Sequence, residues 1–318
     1  AALGRDGELT QRGALQHKQI AERMLKNFPQ IFAGKTNVDA KSTVVIRCIL
    51  SMENALQEMT KMNPQLNITH DASYHDMYYM NYDDTLLFKK RMPTSAMVPY
   101  TEFCKNHEHP ERVMRLLFND DDYWKNHLNA NKLYEVLFKQ ASNVQSTELR
   151  NSMSLYDLFT DDEIYDLWLI NNAWWYINYG ACPLNGGNQP YSQRNLLRKI
   201  ISDADSCIAL PHPGVTLRYG HDTMVMPLTC LMDLDEMGMQ VSDLEQLAYK
   251  GWNNYRIFPM ACNIQFVFYH KKGSKDILVK VLRNENEATL PIKTDIAPYY
   301  HWKDVRQFYL DKINKFTE

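Results

Sequence analysis

No run of 18 or more apolar residues occurs in the 318-residue chain, so nothing in it reads as a membrane-spanning helix. The richest apolar stretch, Trp168 to Ala181, is broken by Asn171, Asn172 and Asn178. Neither sign of charge is in excess: 35 Lys and Arg against 38 Asp and Glu give a formal net charge of −3. A chain so balanced has no global field to draw in nucleic acid or an anionic membrane. An anionic ligand would have to be held by a local cluster of cations. No CxxC pair occurs among the six cysteines Cys48, Cys104, Cys182, Cys207, Cys230 and Cys262. That argues against a zinc ribbon or a thioredoxin-type site and leaves buried or free thiols as the simpler reading. GxSxG, GxxxxGK[ST] and GxGxxG are all missing, so a serine-hydrolase elbow, a nucleoside triphosphate and a dinucleotide are not indicated. His107-Glu108-His109 stands against Pro110 in polar surroundings and reads as a loop rather than a metal cluster, so neither metal nor cofactor is implied. The chain opens on Ala1-Ala2-Leu3-Gly4 without an initiator Met, as a mature protein or a fragment would.

What is present is ordinary globular composition, 45% hydrophobic and 23% charged, in a length that suits one large domain or two ordinary ones. Ile20, Ala21, Met24, Leu25 and Phe28 repeat at helical spacing after Leu9-Thr10, and Pro29 stops them. A second helix follows Ser42-Thr43, which are placed to cap it; its apolar stripe is Cys48, Met52, Ala55, Leu56 and Met59. Leu66 to Thr69 is a short strand candidate. From Ser73 to Tyr191 strand patterns give way to helical ones, as in Val113, Leu116 and Leu117 or Ile164, Leu167, Trp168 and Asn171. Trp174-Trp175-Tyr176 falls in this block and reads as core. α/β character then returns. The pattern predicts a helix over about 193–204, a strand at Val215, Leu217 and Tyr219, and a helix after Gly220. Strands over Ile264–Tyr269 and Ile277–Leu282 are joined by the turn Lys271-Lys272-Gly273-Ser274, and a C-terminal helix carries Trp302, Val305, Phe308, Tyr309 and Ile313.

Three segments carry chemistry. Gly7-Glu8-Leu9-Thr10-Gln11-Arg12-Gly13 leads into the first helix. Ser42 to Ser51 places Arg47 in the opening turns of the second. Leu217 to Thr223 runs Tyr219-Gly220-His221-Asp222 from a strand into a helix start. The last arrangement puts His221 and Asp222 at the carboxyl end of a strand, where open α/β sheets bind ligands and helix N–H groups favour an anion. There His221 can donate to a phosphate oxygen and Asp222 can protonate a leaving group; a helix cap beside a surface histidine would give the same dipeptide. A cation at position 47 opposes the helix macrodipole, which a bound oxyanion would justify, since a guanidinium fork pairs two phosphate oxygens. An exposed Arg47, or one paired with Asp39, is the alternative.

Taken in order, the three segments resemble the acid phosphatase and phytase branch of the histidine phosphatase superfamily, which includes the multiple inositol polyphosphate phosphatases. That branch carries GxLTxxG, an Arg four residues before a Ser (here Arg47 and Ser51), a helical insertion, and a GHD motif (here Gly220-His221-Asp222). The tracts Ser42–Ser51 and Asp71–Tyr82 are most similar to bacterial members. The resemblance implies an α/β fold, a phosphoglycerate-mutase-like sheet flanked by helices with an inserted helical subdomain. The core would be residues 1–72 and 192–318, and the insert residues 73–191. It also implies a two-step phosphomonoesterase reaction, with a nucleophilic His of an RHGxR motif taking the phosphoryl group. Arg47 would clamp phosphate, His221 would be the second phosphate-pocket histidine and Asp222 the proton donor. The substrate would be a small phosphomonoester, inositol phosphates among the candidates, with activity at acid pH and a periplasmic or secreted location.

No RHG occurs in the chain, and only six residues precede Gly7. The resemblance places RHGxR upstream of GxLTxxG on a central strand, so the sequence predicts a sheet without that strand and an exposed apolar gap beside Val215–Tyr219. An N-terminally shortened enzyme, inactive by itself, is the expectation; a non-catalytic phosphate-binding module without a nucleophile is the alternative. No oligomeric state follows from the sequence.

Overall fold

The computed structural model describes residues 4, 5, 7–81 and 84–317. The opening Ala1-Ala2-Leu3, together with Tyr82 and Asp83, which fall in tracts singled out from the sequence, lies outside them.

Thr10 accepts a hydrogen bond from the Gly13 backbone N–H at 3.1 Å and starts α1 (Gln11–Asn27). Next come β1 (Asn37–Ser42), α2 (Ile46–Met62) and β2 (Asn67–Ala72). The helical stretch comprises α3 (Met77–Met80), α4 (Thr85–Lys89), α5 (Thr94–His107), α6 (Glu111–Leu117), α7 (Asp121–His127), α8 (Ala130–Asn143), α9 (Asp161–Tyr179) and α10 (Arg194–Ile208). Then follow β3 (Gly214–Tyr219), α11 (Asp222–Met232), α12 (Asn254–Ile257), β4 (Ile264–His270), β5 (Ile277–Arg283), β6 (Asn286–Glu287), β7 (Tyr300–His301) and α13 (Trp302–Asn314). The sequence pattern anticipates α1, α2, β3, β4, β5 and α13 and does not mark β1. Ser42 and Thr43 do not cap α2: Ser42 ends β1, and Val45 holds the N-cap position with no side-chain bond.

β1 lies between β2 and β3 in a parallel sheet, with Ser42 opposite Tyr219 on one side and Ala72 on the other. Side chains alternate across a strand. Val38 and Ala40, with Ile68, Val215, Leu217 and Tyr219, pack on Ala21, Leu25, Met52, Leu56 and Met59 of α1 and α2. The opposite face carries Lys41 and Arg218, which stand opposite each other across β1 and β3. Two like charges in register destabilise a sheet unless compensated. Here Lys41 pairs with Asp76 at 3.1 Å, and Arg218 with Asp39 at 2.9 Å and with Asp203 of α10 at 3.0 Å.

β4 and β5 form an antiparallel hairpin extended by β6 and β7. Its apolar residues, Val279 and Val281 among them, meet α10, α11 and α13 in a second core. A third core joins α5, α9 and α11 to Val241, Leu244, Leu247 and Trp252, and takes in Tyr176 and Trp175, while Trp174 keeps an exposed face. A fourth is built wholly from residues between Val113 and Leu167. Among the described residues, β3 and β4 each have one strand edge without a partner. The apolar side chains of β3 are half-buried rather than exposed, because α1 and α2 cover one face of the strand. The expected open apolar gap is therefore a vacant strand edge, not bare side chains.

His107 ends α5 with its two ring nitrogens on different carboxylates, Asp166 of α9 at 2.7 Å and Glu245 at 3.0 Å. His109 turns instead to the Asn106 carbonyl at 3.1 Å, so the two histidines do not converge. Burial works against a charge on His107, but the two carboxylates outweigh it and raise its pKa above the ordinary 6.5. Stability from this clamp is full below the unfolded value and is lost as pH rises through the folded one. H107Q is expected to lower the melting temperature by roughly 2–4 °C at pH 6 and by less at pH 9. An equal loss at both pH values would refute the charged clamp.

Candidate active site

Parallel pairing of β1 and β3 brings two strand ends together, and the Thr43 N–H extends the ladder to the Tyr219 carbonyl at 3.0 Å. From these ends the chain enters α2 and α11, so two helix N-termini open onto one place at the carboxyl edge of the sheet. Arg47 lies in the first turn of α2, His221 at the N-cap position of α11, and Asp222 at its first residue. Residues 174 apart in sequence meet there: Arg47 Nη2 is 3.4 Å from His221 Nδ1. Arg47 Nη1 donates to the Gly7 carbonyl at 3.4 Å, which ties the first segment to the same place. Gly7 holds φ at +80°, a conformation that favours glycine. Arg47 is exposed and unpaired with Asp39, whose carboxylate is taken by Arg218. Ser51 Oγ donates back to the Arg47 carbonyl at 2.8 Å, so its hydroxyl is used inside the helix rather than in the site.

Asp222 is exposed, and one carboxylate oxygen accepts the Thr223 N–H at 2.8 Å. His221 is half-buried. Burial, and then the Arg47 charge, push its pKa down, with Asp222 opposing, so the imidazole is biased to its neutral form. His17 of α1 packs edge-on against Tyr219 at 5.9 Å, behind the strand end.

The Cys48 thiol borders the site, and the Asp222 charge acts on a second, Cys262. Burial pushes the Cys48 thiol up despite Thr43 and Arg47, and it donates to the Gly220 carbonyl at 3.1 Å. Burial, and then the Asp222 charge, push Cys262 up to about 12. A protonated thiol is a poor nucleophile, so the adjacency of Cys48 to Arg47 does not make a cysteine-phosphatase site. All six thiols are free. His70 is held by Glu53 at 2.7 Å and Asp76 by Lys41 and Tyr79, which commits both side chains to the scaffold.

The pattern of the histidine phosphatase superfamily (branch 2) matches residues 3–284 of the chain. The chain belongs to this superfamily. Multiple inositol polyphosphate phosphatase 1 of Gallus gallus is 23% identical over 322 residues, covering 94% of this chain and 69% of the relative. Among solved structures, Bifidobacterium longum multiple inositol polyphosphate phosphatase in complex with inositol hexasulfate superposes with a TM-score of 0.76. That match is 14% identical and covers 95% of this chain and 79% of that one. The phytase of D. castellii superposes with a TM-score of 0.67 at 11% identity, covering 99% and 68%. At these identities the structural likeness shows a histidine phosphatase fold. The named relatives are phosphatases, in the branch the sequence motifs resemble.

The sequence singled out Arg47, His221 and Asp222, and the fold brings the first two into contact and sets the third beside them. It did not single out Thr43 as anything but a cap, nor Cys48 as anything but core. Thr43 Oγ1 stands 3.3 Å from His221 Nε2, and Cys48 Sγ 3.7 Å from His221 Nδ1. Their position beside Arg47 in one tract was the only available signal.

Proposed function

We propose that this chain forms the anion-binding and proton-donating part of a histidine-type phosphomonoesterase that hydrolyses small organic phosphates, inositol phosphates among them. The observation that carries the reading is the convergence of Arg47 and His221 at 3.4 Å between two helix N-termini, with Asp222 alongside. A phosphate group placed there meets a guanidinium fork, an imidazole and two sets of backbone N–H groups. In the first step an imidazole nitrogen of a further histidine, not His221, attacks phosphorus, the bond from phosphorus to the leaving oxygen breaks, and Asp222 gives that oxygen its proton. In the second, water attacks the phosphohistidine, the P–N bond breaks, and the Asp222 carboxylate takes the water proton.

The nucleophilic histidine is proposed to lie on a strand upstream of these residues. The edge of β3 that has no partner among the described residues supports that placement, since an added strand could pair there through backbone hydrogen bonds. In this reading residues 1–72 and 192–318 are the phosphatase core, residues 73–191 are an insert that shapes substrate choice, the enzyme is exported, and this chain by itself does not turn over. The binding half is tested by calorimetry with inorganic phosphate. R47A is expected to weaken binding at least tenfold, because it removes a charge-assisted pair, and R47K to recover only part of it. Identical phosphate binding by the parent chain and R47A would end the reading.

A further inference from the structure

His221 is held by more than its place on the chain. Its Nε2 stands 3.3 Å from the hydroxyl of Thr43, a residue with no solvent exposure. The Cys48 thiol lies against the same ring, 3.7 Å from Nδ1 and 3.8 Å from Nε2. That thiol donates at 3.1 Å to the carbonyl of Gly220, the residue before His221. The chain of contacts thus starts at the imidazole and returns to the histidine's own backbone. Its direction follows from donor chemistry. A guanidinium has donors only, so with Arg47 Nη2 3.4 Å away, Nδ1 of a neutral His221 is the acceptor and its one proton is on Nε2. Nε2–H then donates to the Thr43 hydroxyl oxygen, and the Cys48 S–H donates to the Gly220 carbonyl rather than to the ring. A thiol kept protonated by burial can make that bond.

We propose that Thr43, backed by Cys48, is a positioning residue that fixes the Nε2–H tautomer of His221 and thereby presents Nδ1 to the anion held by Arg47. The choice matters because a neutral imidazole has one donor and one acceptor, and the two tautomers show opposite faces to the pocket. When an anion arrives and His221 takes up a proton, the new N–H forms on Nδ1, facing it. A valine at position 43 would fill the same space and leave Nε2 with no acceptor there. The link to anion binding rests on the phosphatase reading; the tautomer itself does not.

The test is a long-range 1H–15N correlation spectrum of the ring nitrogens of His221, recorded on the chain above the histidine titration. The parent chain is expected to show one tautomer, protonated on Nε2. T43V is expected to show both, and T43S to restore one. Calorimetry with inorganic phosphate is expected to show about tenfold weaker binding in T43V and near-parent binding in T43S. A single Nε2–H tautomer in T43V would overturn the proposal, and so would a tautomer shift with phosphate affinity unchanged. If the parent chain binds no phosphate while T43V still shifts the tautomer, the positioning role stands and the phosphatase reading fails. C48A, expected to mix the tautomers as well, serves if T43V does not fold.

Discussion

Joined in frame behind an upstream strand bearing RHGxR, the chain is expected to hydrolyse p-nitrophenyl phosphate on the order of 10⁴-fold or more faster than it does alone. The size of the effect follows from what the site contains. Arg47 and His221 can bind and polarise a phosphate, and Asp222 can protonate what leaves. In the proposed reading none of these groups takes the phosphoryl group. The two ring nitrogens of His221 are committed to Thr43 and Arg47, and the Cys48 thiol is protonated and bonded to Gly220. Binding and acid catalysis without a nucleophile leave only direct attack by water, which forgoes the covalent intermediate. The edge of β3 without a partner among the described residues gives the added strand a place to pair, so the extended form is also expected to melt at a higher temperature than the short one. Robust turnover by the short chain, abolished by R47A, would sink the upstream-nucleophile assignment. An extended chain that binds phosphate and stays inactive would instead favour a non-catalytic phosphate-binding module.

In that extended form D222N is expected to lower kcat/KM, which reports the steps through departure of the leaving group, by roughly 10²–10⁴ on an alkyl phosphate such as glycerol phosphate or an inositol phosphate. On p-nitrophenyl phosphate the expected loss is under about tenfold. An alkoxide is a poor leaving group and needs a proton as the P–O bond breaks. A nitrophenolate leaves unaided, so the acid contributes little in the first step. The geometry permits this role: Asp222 is exposed at the first residue of α11, and one of its oxygens is fixed by the Thr223 N–H at 2.8 Å. The check is a pair of kcat/KM values for each substrate in parent and variant. Equal losses on the two substrates would mean that Asp222 holds the site together rather than supplying the proton.

Much of the scaffold was legible in the residues. Helical repeats marked α1 and α2, alternation marked β3, β4 and β5, and Gly220 marked the turn from β3 into α11. β1 was not legible, because Asn37–Ser42 is half polar: it alternates only when one knows that Val38, Ala40 and Ser42 face α1 and α2 and that Lys41 is neutralised by Asp76. The start of α2 was misread for a related reason. Ser42 and Thr43 are good capping types, but tertiary pairing claims them, Ser42 for the sheet and Thr43 for His221. Propensity is a local quantity and the sheet overrides it.

The sequence by itself determined the class of the protein and its charged players. Charge balance and missing motifs removed whole classes of function, and three ordered segments pointed to Arg47, His221 and Asp222. Tertiary structure alone decided what those residues can do together. Parallel register puts Ser42 opposite Tyr219, so that Thr43 and His221, 178 residues apart, come within hydrogen-bonding distance. It also decided that Arg47 faces His221 rather than Asp39, and that Cys48 serves as a donor rather than a nucleophile. Spacing along a chain carries no information about which strands pair; burial of apolar faces and the backbone ladder set that, and they bring the site together.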